Sequence, residues 1–480
     1  MKKYFFHFIL VSVGFCNVIN VLNIDNETLI ISNNEIHIDY GLSYPVTYEF
    51  SLSQGLENLN AYRKYEYSQD WNLIDEKNHD DFFNGIEAVR FDYDENIAYV
   101  SVAFSSISDT IYIKIENNND ENINALFVDA CKYYDNRQAV VTITADDWAD
   151  YCNEKFVQAC QNFRSYNLWY SVAVITGWIW NQETWDDIQT QLDNGLIEVV
   201  SHSRTHPYTP YIDVEGEVAG SKQDIINNLN LLNHNRSGVN EYVYAWVAPF
   251  GDYDADIDSS TSNAKYLISR LFSYNENYFS NWNNDLYKFD PVGGSIELGN
   301  SDYWGSTDIN ELNTTFNNIF DSNGIYHLIT HPNILDWDED FTWNHLEYIS
   351  NRKDIWYVGF GHLYLYRFIT SLIQGIGLSV VENPLSSISN IMIYNNYPNP
   401  FNPITNISYD LFEATNVTIF IHNMMGKVVK TLVNEEQEKG RKIVEWDATN
   451  NDGNKVSSGM YFYNMQTSEF SQTKKMLFLK

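Results

Sequence analysis

Apolar and polar residues alternate differently in three stretches of the chain. From about 24 to 120 the period is close to two, and the runs 97–104 and 110–115 read as strands. No helical period is present there, so a small β-sandwich is expected over 23–122, followed by a polar linker around 116–122. From about 125 to 375 short apolar runs alternate with helical patterns. Strands are expected at 139–144, 168–175, 197–200, 242–247, 325–330 and 355–360. Helices are expected at 153–165, 184–193, 222–233, 309–320 and 341–350. This βα alternation predicts a parallel sheet or barrel covered by helices, which gathers chemistry at the C-terminal ends of its strands. A second linker occupies 376–393. The period-two pattern then returns over 394–480, with strands at 417–421 and 460–463 and a turn at Asn451-Asp452-Gly453. An immunoglobulin-like sandwich is expected there.

The first residues form a different kind of segment. Met1-Lys2-Lys3 precede an apolar run that ends near Asn17, the layout of a secretory signal peptide, assigned to 1–22. The run is too short to span a membrane, and no later segment supplies a stable transmembrane anchor. The protein is therefore expected to be exported to the cell surface or beyond it. Of the four cysteines, Cys16 lies in this leader. Cys131, Cys152 and Cys160 show no CxxC or zinc-finger spacing and are read as buried apolar side chains.

Charge narrows the choice of partner. Lys and Arg total 29 against 64 Asp and Glu, a net charge of −35. That field repels phosphate backbones and anionic lipid surfaces, so no nucleic-acid partner is expected. The tail 394–480 holds nine basic and nine acidic residues, so the whole excess lies upstream of it. Neutral glycans suit such a surface better than strongly anionic ones.

Three polar clusters follow expected strands: Asp146-Asp147, His202 to Pro207 (His-Ser-Arg-Thr-His-Pro), and His331-Pro332. Each alone has a bland reading, as a turn, a helix cap or a structural histidine. Together, two imidazoles and a carboxylate can hold a divalent metal and leave positions open for water. Such a metal acidifies that water and polarises a carbonyl. One of two adjacent carboxylates is left over as a general base, and a separate histidine can protonate the leaving group. The set suits hydrolysis of an amide or ester. His234, His327, His345 and His362 have no comparable context and are read as structural.

These motifs make 125–375 resemble the polysaccharide deacetylase family (NodB homology domain, carbohydrate esterase family 4). Thr144-Ala145-Asp146-Asp147 matches the first motif, His202 to Pro207 the second, Ala248-Pro249-Phe250-Gly251 the third, and Leu328-Ile329-Thr330-His331 the late one. The resemblance implies a deformed (β/α) barrel and a divalent metal cofactor, with zinc the first candidate among the several ions that a two-His-one-Asp set accepts. Asp147, His202 and His206 would be the ligands and Asp146 the general base. The Phe250 backbone N–H would bind the oxyanion and His331 would be the general acid. Ser203 and Thr205 would support the second motif. One departure stands out: Val247 occupies the place of an Arg that pairs with the base carboxylate, and Arg204 and Trp246 are the nearby replacements. Asp302-Tyr303-Trp304 is a weak match to the fourth motif.

The tail also carries a resemblance. Asn396 to Thr405, Asn423-Met424-Met425-Gly426-Lys427, Val444-Glu445-Trp446-Asp447, Ser457 to Tyr461 and the basic end Lys474-Lys475 look like a type A sorting domain of the type IX secretion system with a FlgD-like immunoglobulin fold. This implies export by Sec and then by the type IX secretion machinery. The whole reads as a multidomain protein: an α/β deformed barrel between an N-terminal β-sandwich, whose aromatic residues could stack on sugars and make it glycan-binding, and a C-terminal immunoglobulin-like β-sandwich. The expected partner is an acetylated glycan substrate. The alternatives are a non-catalytic glycan-binding protein on a deacetylase scaffold and a purely structural surface protein.

Overall fold

The structure is a computed structural model. It describes residues 19–24, 27–32, 43–231, 243–271, 291–370, 391–393 and 396–479, except for positions 54–55, 67–68, 82–84, 105–109, 120, 122, 293–295, 301, 303–304, 336, 338, 397, 412–413, 424–426 and 468–470. The chain divides into two compact units, Met1–Gly377 and Leu378–Lys480.

The first unit opens with two antiparallel sheets. One orders the strands Ile19–Ile24, Glu27–Ser32, Thr110–Glu116, Asn60–Lys64 and Asn72–Leu73. The other orders Ala88–Asp92, Ile97–Val102, Val46–Ser51 and Leu126–Ala130. Two boundaries differ from the sequence expectation. The last four residues of the expected leader lie in the strand Ile19–Ile24, whose partner is Glu27–Ser32, so a leader ending at 22 would end inside a strand. The polar stretch around 116–122 is a turn rather than a spacer between bodies. Asn117 N–H reaches Glu121 O, and Leu126–Ala130 then pairs back onto Val46–Ser51. Only from Ala139 does the chain enter the parallel sheet.

That sheet runs Pro291–Val292, Ile268–Arg270, Ala245–Val247, Ile197–Ser201, Tyr170–Val174, Ala139–Trp148, Ile325–Thr330 and Ile296–Glu297. Ile355–Tyr357 adds to the start of the central strand Ala139–Trp148. All these pairings are parallel, and crossover helices cover the outside. Asn153–Ser165, Gln182–Asp193, Ile309–Asp321 and Asp340–Ile349 each bury one stripe, as their 3.6-residue spacing dictates. The expected helix at 222–233 is seen as Ser221–Asn228, after a π-helical turn at Gly216–Gly220; positions 232 and 233 lie outside the described residues.

One expected strand ends differently. The run 355–360 extends only to Tyr357, and Phe360 starts a helix, Phe360–Thr370. This helix is apolar almost all round, so it shows no amphipathic period, and it is buried from Phe360 to Ile369. Its N-terminus meets Glu198. Gly361 N–H donates to Glu198 Oε2 (2.9 Å) and Phe360 N–H to Ser171 Oγ (2.8 Å). A Cβ on Gly361 would lie 2.2 Å from Glu198 Oε1, so only glycine allows this approach. Burial pushes the Glu198 carboxyl up to about 7. The helix also ties the two halves of the unit together: Leu363, Leu365, Tyr366 and Ile369 share one apolar cluster with Val46, Tyr48 and Phe50 of the sandwich and Val140, Ala173 and Val200 of the parallel sheet. At about 1.5–3 kcal/mol for each large apolar side chain removed from water, this continuous core opposes separation of the sandwich from the sheet.

The second unit is a two-sheet antiparallel sandwich. Its sheets order Ile391–Ile393, Thr405–Leu411, Gly440–Trp446 and Val428–Gln437, Thr415–Asn423, Gly459–Gln466, Ser471–Phe478. Trp446, Phe401, Ile419 and Tyr463 fill its core. Gly453, at φ +80°, makes the expected turn after Asn451-Asp452. Among the described residues no helix is long and apolar enough to cross a membrane. Cys131, Cys152 and Cys160 are buried free thiols, as read from the sequence.

Candidate active site

Successive side chains of a strand point to opposite faces, so two adjacent aspartates cannot ordinarily serve one site. The central strand solves this with a bulge. Ala145 pairs with Val172 but Trp148 pairs with Val174, so the Asp146-Asp147 region holds one residue more than its neighbour. Asp147 takes a left-handed conformation, φ +80°. Ile197–Ser201, two strands away across Tyr170–Val174, delivers His202 directly from its C-terminal end. His206 returns through a loop in which Ser203 and His206 also have positive φ, 66° and 55°. Ser203 Oγ accepts the His206 N–H (2.9 Å). Glu217 accepts from the backbone N–H of Arg204 and Thr205 (2.9 and 2.8 Å) and from Thr205 Oγ1 (2.6 Å).

These loops bring the carboxylate and both imidazoles together. Nε2 of His202 and Nε2 of His206 each lie 3.3 Å from Asp147 Oδ1. One donor atom from each of the three residues lies within 4.8 Å of the others. The His202 Nδ1–H donates to Val247 O (2.9 Å), which turns its other nitrogen toward the site as a lone-pair donor. Burial, then the neighbouring His202, pull His206 down to about 4, so its ring is neutral at ordinary pH. Burial resists ionisation of Asp147, but the hydrogen bond to His202, with the positive charge of His331, outweighs it and holds the carboxyl well below the usual range. Two imidazoles and a carboxylate at this spacing fit a divalent cation.

On one side of this triad sits Asp146, only 5% exposed. Its Oδ2 pairs with Arg270 Nη2, and its Oδ1 is buried with no protein partner. Burial would raise its pKa, but Arg270 first, then His202 and His331, bring it below the ordinary value. Arg270 is therefore the cation that the sequence lacked at Val247. It stands on the adjacent strand, directly opposite Val247 in register. Neither replacement considered from the sequence takes this part. Arg204 is paired with Asp224 (2.7 Å), and Trp246 is buried against Tyr266.

His331 closes the set, with Nε2 3.9 Å from Asp146 Oδ2. Its Nδ1 lies 2.6 Å from Glu297 Oε1, on the short strand Ile296–Glu297. Burial works against its protonation, yet the hydrogen bond to Glu297 and the charges of Asp146, Glu297 and Asp147 raise its pKa above the usual imidazole value. Glu297 thus stands beside His331, whereas Asp302 donates its backbone N–H to Asn300 Oδ1; 303 and 304 lie outside the described residues. Phe250 has φ +56° in the turn Pro249–Gly251. That turn's hydrogen bonds come from Gly251 and Asp252 N–H, leaving the Phe250 N–H out of them. Its ring meets His206 edge-on at 4.4 Å. His327 bonds Thr144 and His345 bonds Tyr326 and Asn313 inside the core, and His362 is buried there. His234 lies outside the described residues.

Of the residues singled out in the sequence, Asp146, Asp147, His202, His206, Phe250 and His331 converge. Arg270, Glu297 and Glu217 were missed, for none carries a local motif. The available signal for Arg270 was a single cation inside the largely apolar run Tyr266-Leu267-Ile268-Ser269-Arg270-Leu271-Phe272.

The family described as FlgD Ig-like domain matches residues 407–470. No curated protein matches the chain. Among solved structures, a protein from Mycobacterium smegmatis described as a polysaccharide deacetylase is similar at 14% identity and TM-score 0.36, over 48% of this chain and 91% of that one. A CE4 family pseudoenzyme from Bacillus anthracis is similar at 12% identity and TM-score 0.27, over 43% of this chain and 58% of that one. PorZ, a surface component of the type-IX secretion system of Porphyromonas gingivalis, is similar at 21% identity and TM-score 0.15, over 21% of this chain and 13% of that one.

Proposed function

We propose that this protein is an exported, metal-dependent polysaccharide deacetylase that hydrolyses N- or O-acetyl groups of a glycan. The observation that carries the reading is the Asp147, His202 and His206 cluster, set between an Arg-paired aspartate and a Glu-paired histidine. A divalent cation held by that cluster, zinc being one that such donors accept, supplies Lewis acidity toward the acetyl carbonyl and acidifies a water.

The chain's own residues do the rest. Arg270 keeps Asp146 ionised, and the unpartnered Asp146 Oδ1 accepts a proton from the water that attacks the carbonyl carbon. The Phe250 N–H donates to the oxygen that gains negative charge. Glu297 holds His331 protonated, and Nε2 gives its proton to the departing amine or hydroxyl. Water and the acetylated sugar become acetate and the free amine or alcohol. His331 Nε2 lies 3.9 Å from the other oxygen of the same carboxylate, Asp146 Oδ2, so acid and base stand side by side.

The rival is a non-catalytic glycan binder on the same scaffold; the Arg270–Asp146 pair, which supplies a cation beside the base carboxylate, favours the catalytic reading. Acetate release from a panel of acetylated glycans tests the reading: His202→Ala and His206→Ala should each abolish it together with bound metal, and full activity in both variants would overturn it. Export by the leader and then by the type IX secretion machinery is part of the same proposal and rests on the leader and the tail motifs in the sequence; the FlgD Ig-like match over 407–470 supports the immunoglobulin-like fold of the tail.

A further inference from the structure

The two imidazoles of the cluster are held in different ways. The His202 side chain is 2% exposed, and its Nδ1 is tied to Val247 O (2.9 Å), the usual way of aiming a ligand nitrogen. The His206 side chain is 12% exposed, and among the described residues no hydrogen-bond partner meets its Nδ1. Its ring contacts are with His202, Phe250 and Trp178, at 4.8, 4.4 and 6.1 Å between centroids. The aim of His206 therefore depends on the course of the backbone that carries it. A free loop would not keep that course, since Ser203 and His206 both sit at positive φ, 66° and 55°.

Glu217 supplies the missing restraint from the π-helical turn Gly216–Gly220. Its Oε2 accepts the N–H of Arg204 (2.9 Å) and of Thr205 (2.8 Å), and its Oε1 accepts the Thr205 hydroxyl (2.6 Å). Both carboxylate oxygens are used, and both backbone donors lie between Ser203 and His206. Ser203 Oγ then takes the His206 N–H (2.9 Å), so every N–H from 204 to 206 ends on a side-chain oxygen. Glu217 is itself anchored. Its N–H donates to Asp213 O (3.0 Å), and its carbonyl accepts from Ser221 Oγ (2.6 Å). Ser221 Oγ also lies 2.6 Å from Ser201 Oγ, at the end of the strand that delivers His202, and both serines are fully buried. The grip on the His206 loop is thus referenced to the strand end that carries the other imidazole. π-helical turns recur at functional sites, and this one carries the gripping residue.

We infer that Glu217 is a positioning residue for the metal centre: by gripping the backbone of Arg204 and Thr205 it aims His206, as Val247 O aims His202. The inference rests on the reading of Asp147, His202 and His206 as metal ligands, and on nothing in the acetate chemistry. The grip works through reach rather than through charge. A competing account is a field effect, in which any acidic residue near the cluster attracts a cation. Two variants separate the accounts. Glu217→Gln drops the charge and keeps the length; its amide oxygen can accept both N–H groups, and its amide nitrogen can donate to the Thr205 hydroxyl. Glu217→Asp keeps the charge but is one methylene shorter, so it loses the span to both residues.

The test measures zinc Kd on the full chain by competition with a chromophoric chelator, and the visible spectrum of the cobalt-loaded protein, which reports ligand number and geometry. Glu217→Ala and Glu217→Asp should each weaken zinc about tenfold or more, the loss typical when a ligand's supporting hydrogen bonds are removed, and should alter the cobalt bands. Glu217→Gln should stay within about threefold of wild type with unaltered bands, since the hydrogen bonds survive without their charge. Circular dichroism and unfolding of the zinc-free proteins check the fold, and if the Ala variant does not fold the Asp and Gln pair decides. Unaltered zinc affinity in Glu217→Asp, or a loss in Glu217→Gln as large as in Glu217→Ala, would overturn the positioning role while wild-type binding keeps the metal reading. A wild type that binds no zinc would overturn the metal reading and this inference with it.

Discussion

Replacing Arg270 by Met is the most informative single change to the site. Arg270 is 1% exposed and Asp146 5%, so the pair is shielded from water on both sides. Removing one partner of a buried pair leaves an uncompensated charge and costs about 3–5 kcal/mol. Asp146 can avoid that cost by taking up a proton. Burial already pushes its pKa upward, and Arg270 is the largest influence opposing this. Without the guanidinium the carboxyl moves up. Every tenfold loss of the ionised base, at pH values below the new pKa, corresponds to about 1.4 kcal/mol. In the wild type the depressed Asp146 stabilises the fold above the ordinary carboxylate pKa, and that contribution is lost as the pH falls through its lowered folded value. In the variant the raised group destabilises the fold at neutral pH. The gap between the two proteins should therefore be full near neutrality and close as the pH falls. The assays are a pH profile of kcat/KM on an acetylated glycan and urea unfolding at several pH values. The acid limb should move to higher pH by at least about one, with Arg270→Lys intermediate because it keeps the charge but not the planar fork. An unmoved acid limb, with stability within about 1 kcal/mol of wild type, would refute the assignment of Arg270 as the partner that keeps the base ionised.

Two further outcomes are expected. Glu297→Gln removes the charge that favours protonated His331, so the basic limb of the kcat/KM profile should shift to lower pH; an unchanged basic limb would show that His331 is not the acid. Deleting 394–480 in the native host should leave the protein within the cell envelope, as seen by fractionation and immunoblotting, and undiminished release into the medium would remove the sorting role of the tail.

The site was partly legible because part of it is contiguous. Asp146-Asp147 and the run His202 to Pro207 declare their chemistry in a few residues, and strand ends follow from where the apolar runs stop. Arg270 and Glu297 were not legible, because their roles come from lateral register between strands of three and two residues. Periodicity says which face a side chain takes on its own strand. It does not say which neighbour a short strand will have. The strands and helices of the parallel sheet were visible through their alternation, whereas Phe360–Thr370 was hidden by its own burial, since a helix that is apolar all round has no stripe to reveal it. The union of the N-terminal sandwich with the sheet escaped notice for a related reason: the residues that join them, such as Tyr48 and Tyr366, look like ordinary core residues of separate domains.

The central claim is that Asp147, His202 and His206 hold a metal on which acetate release depends. The most direct measurement strips the purified full-length protein with a chelator, returns zinc in steps, and follows bound metal by mass spectrometry and acetate release together. The account predicts one metal per chain, with activity rising in proportion to occupancy and reaching its plateau at one equivalent. Full acetate release from the stripped protein would contradict it, and so would one bound metal per chain with no release from any acetylated glycan.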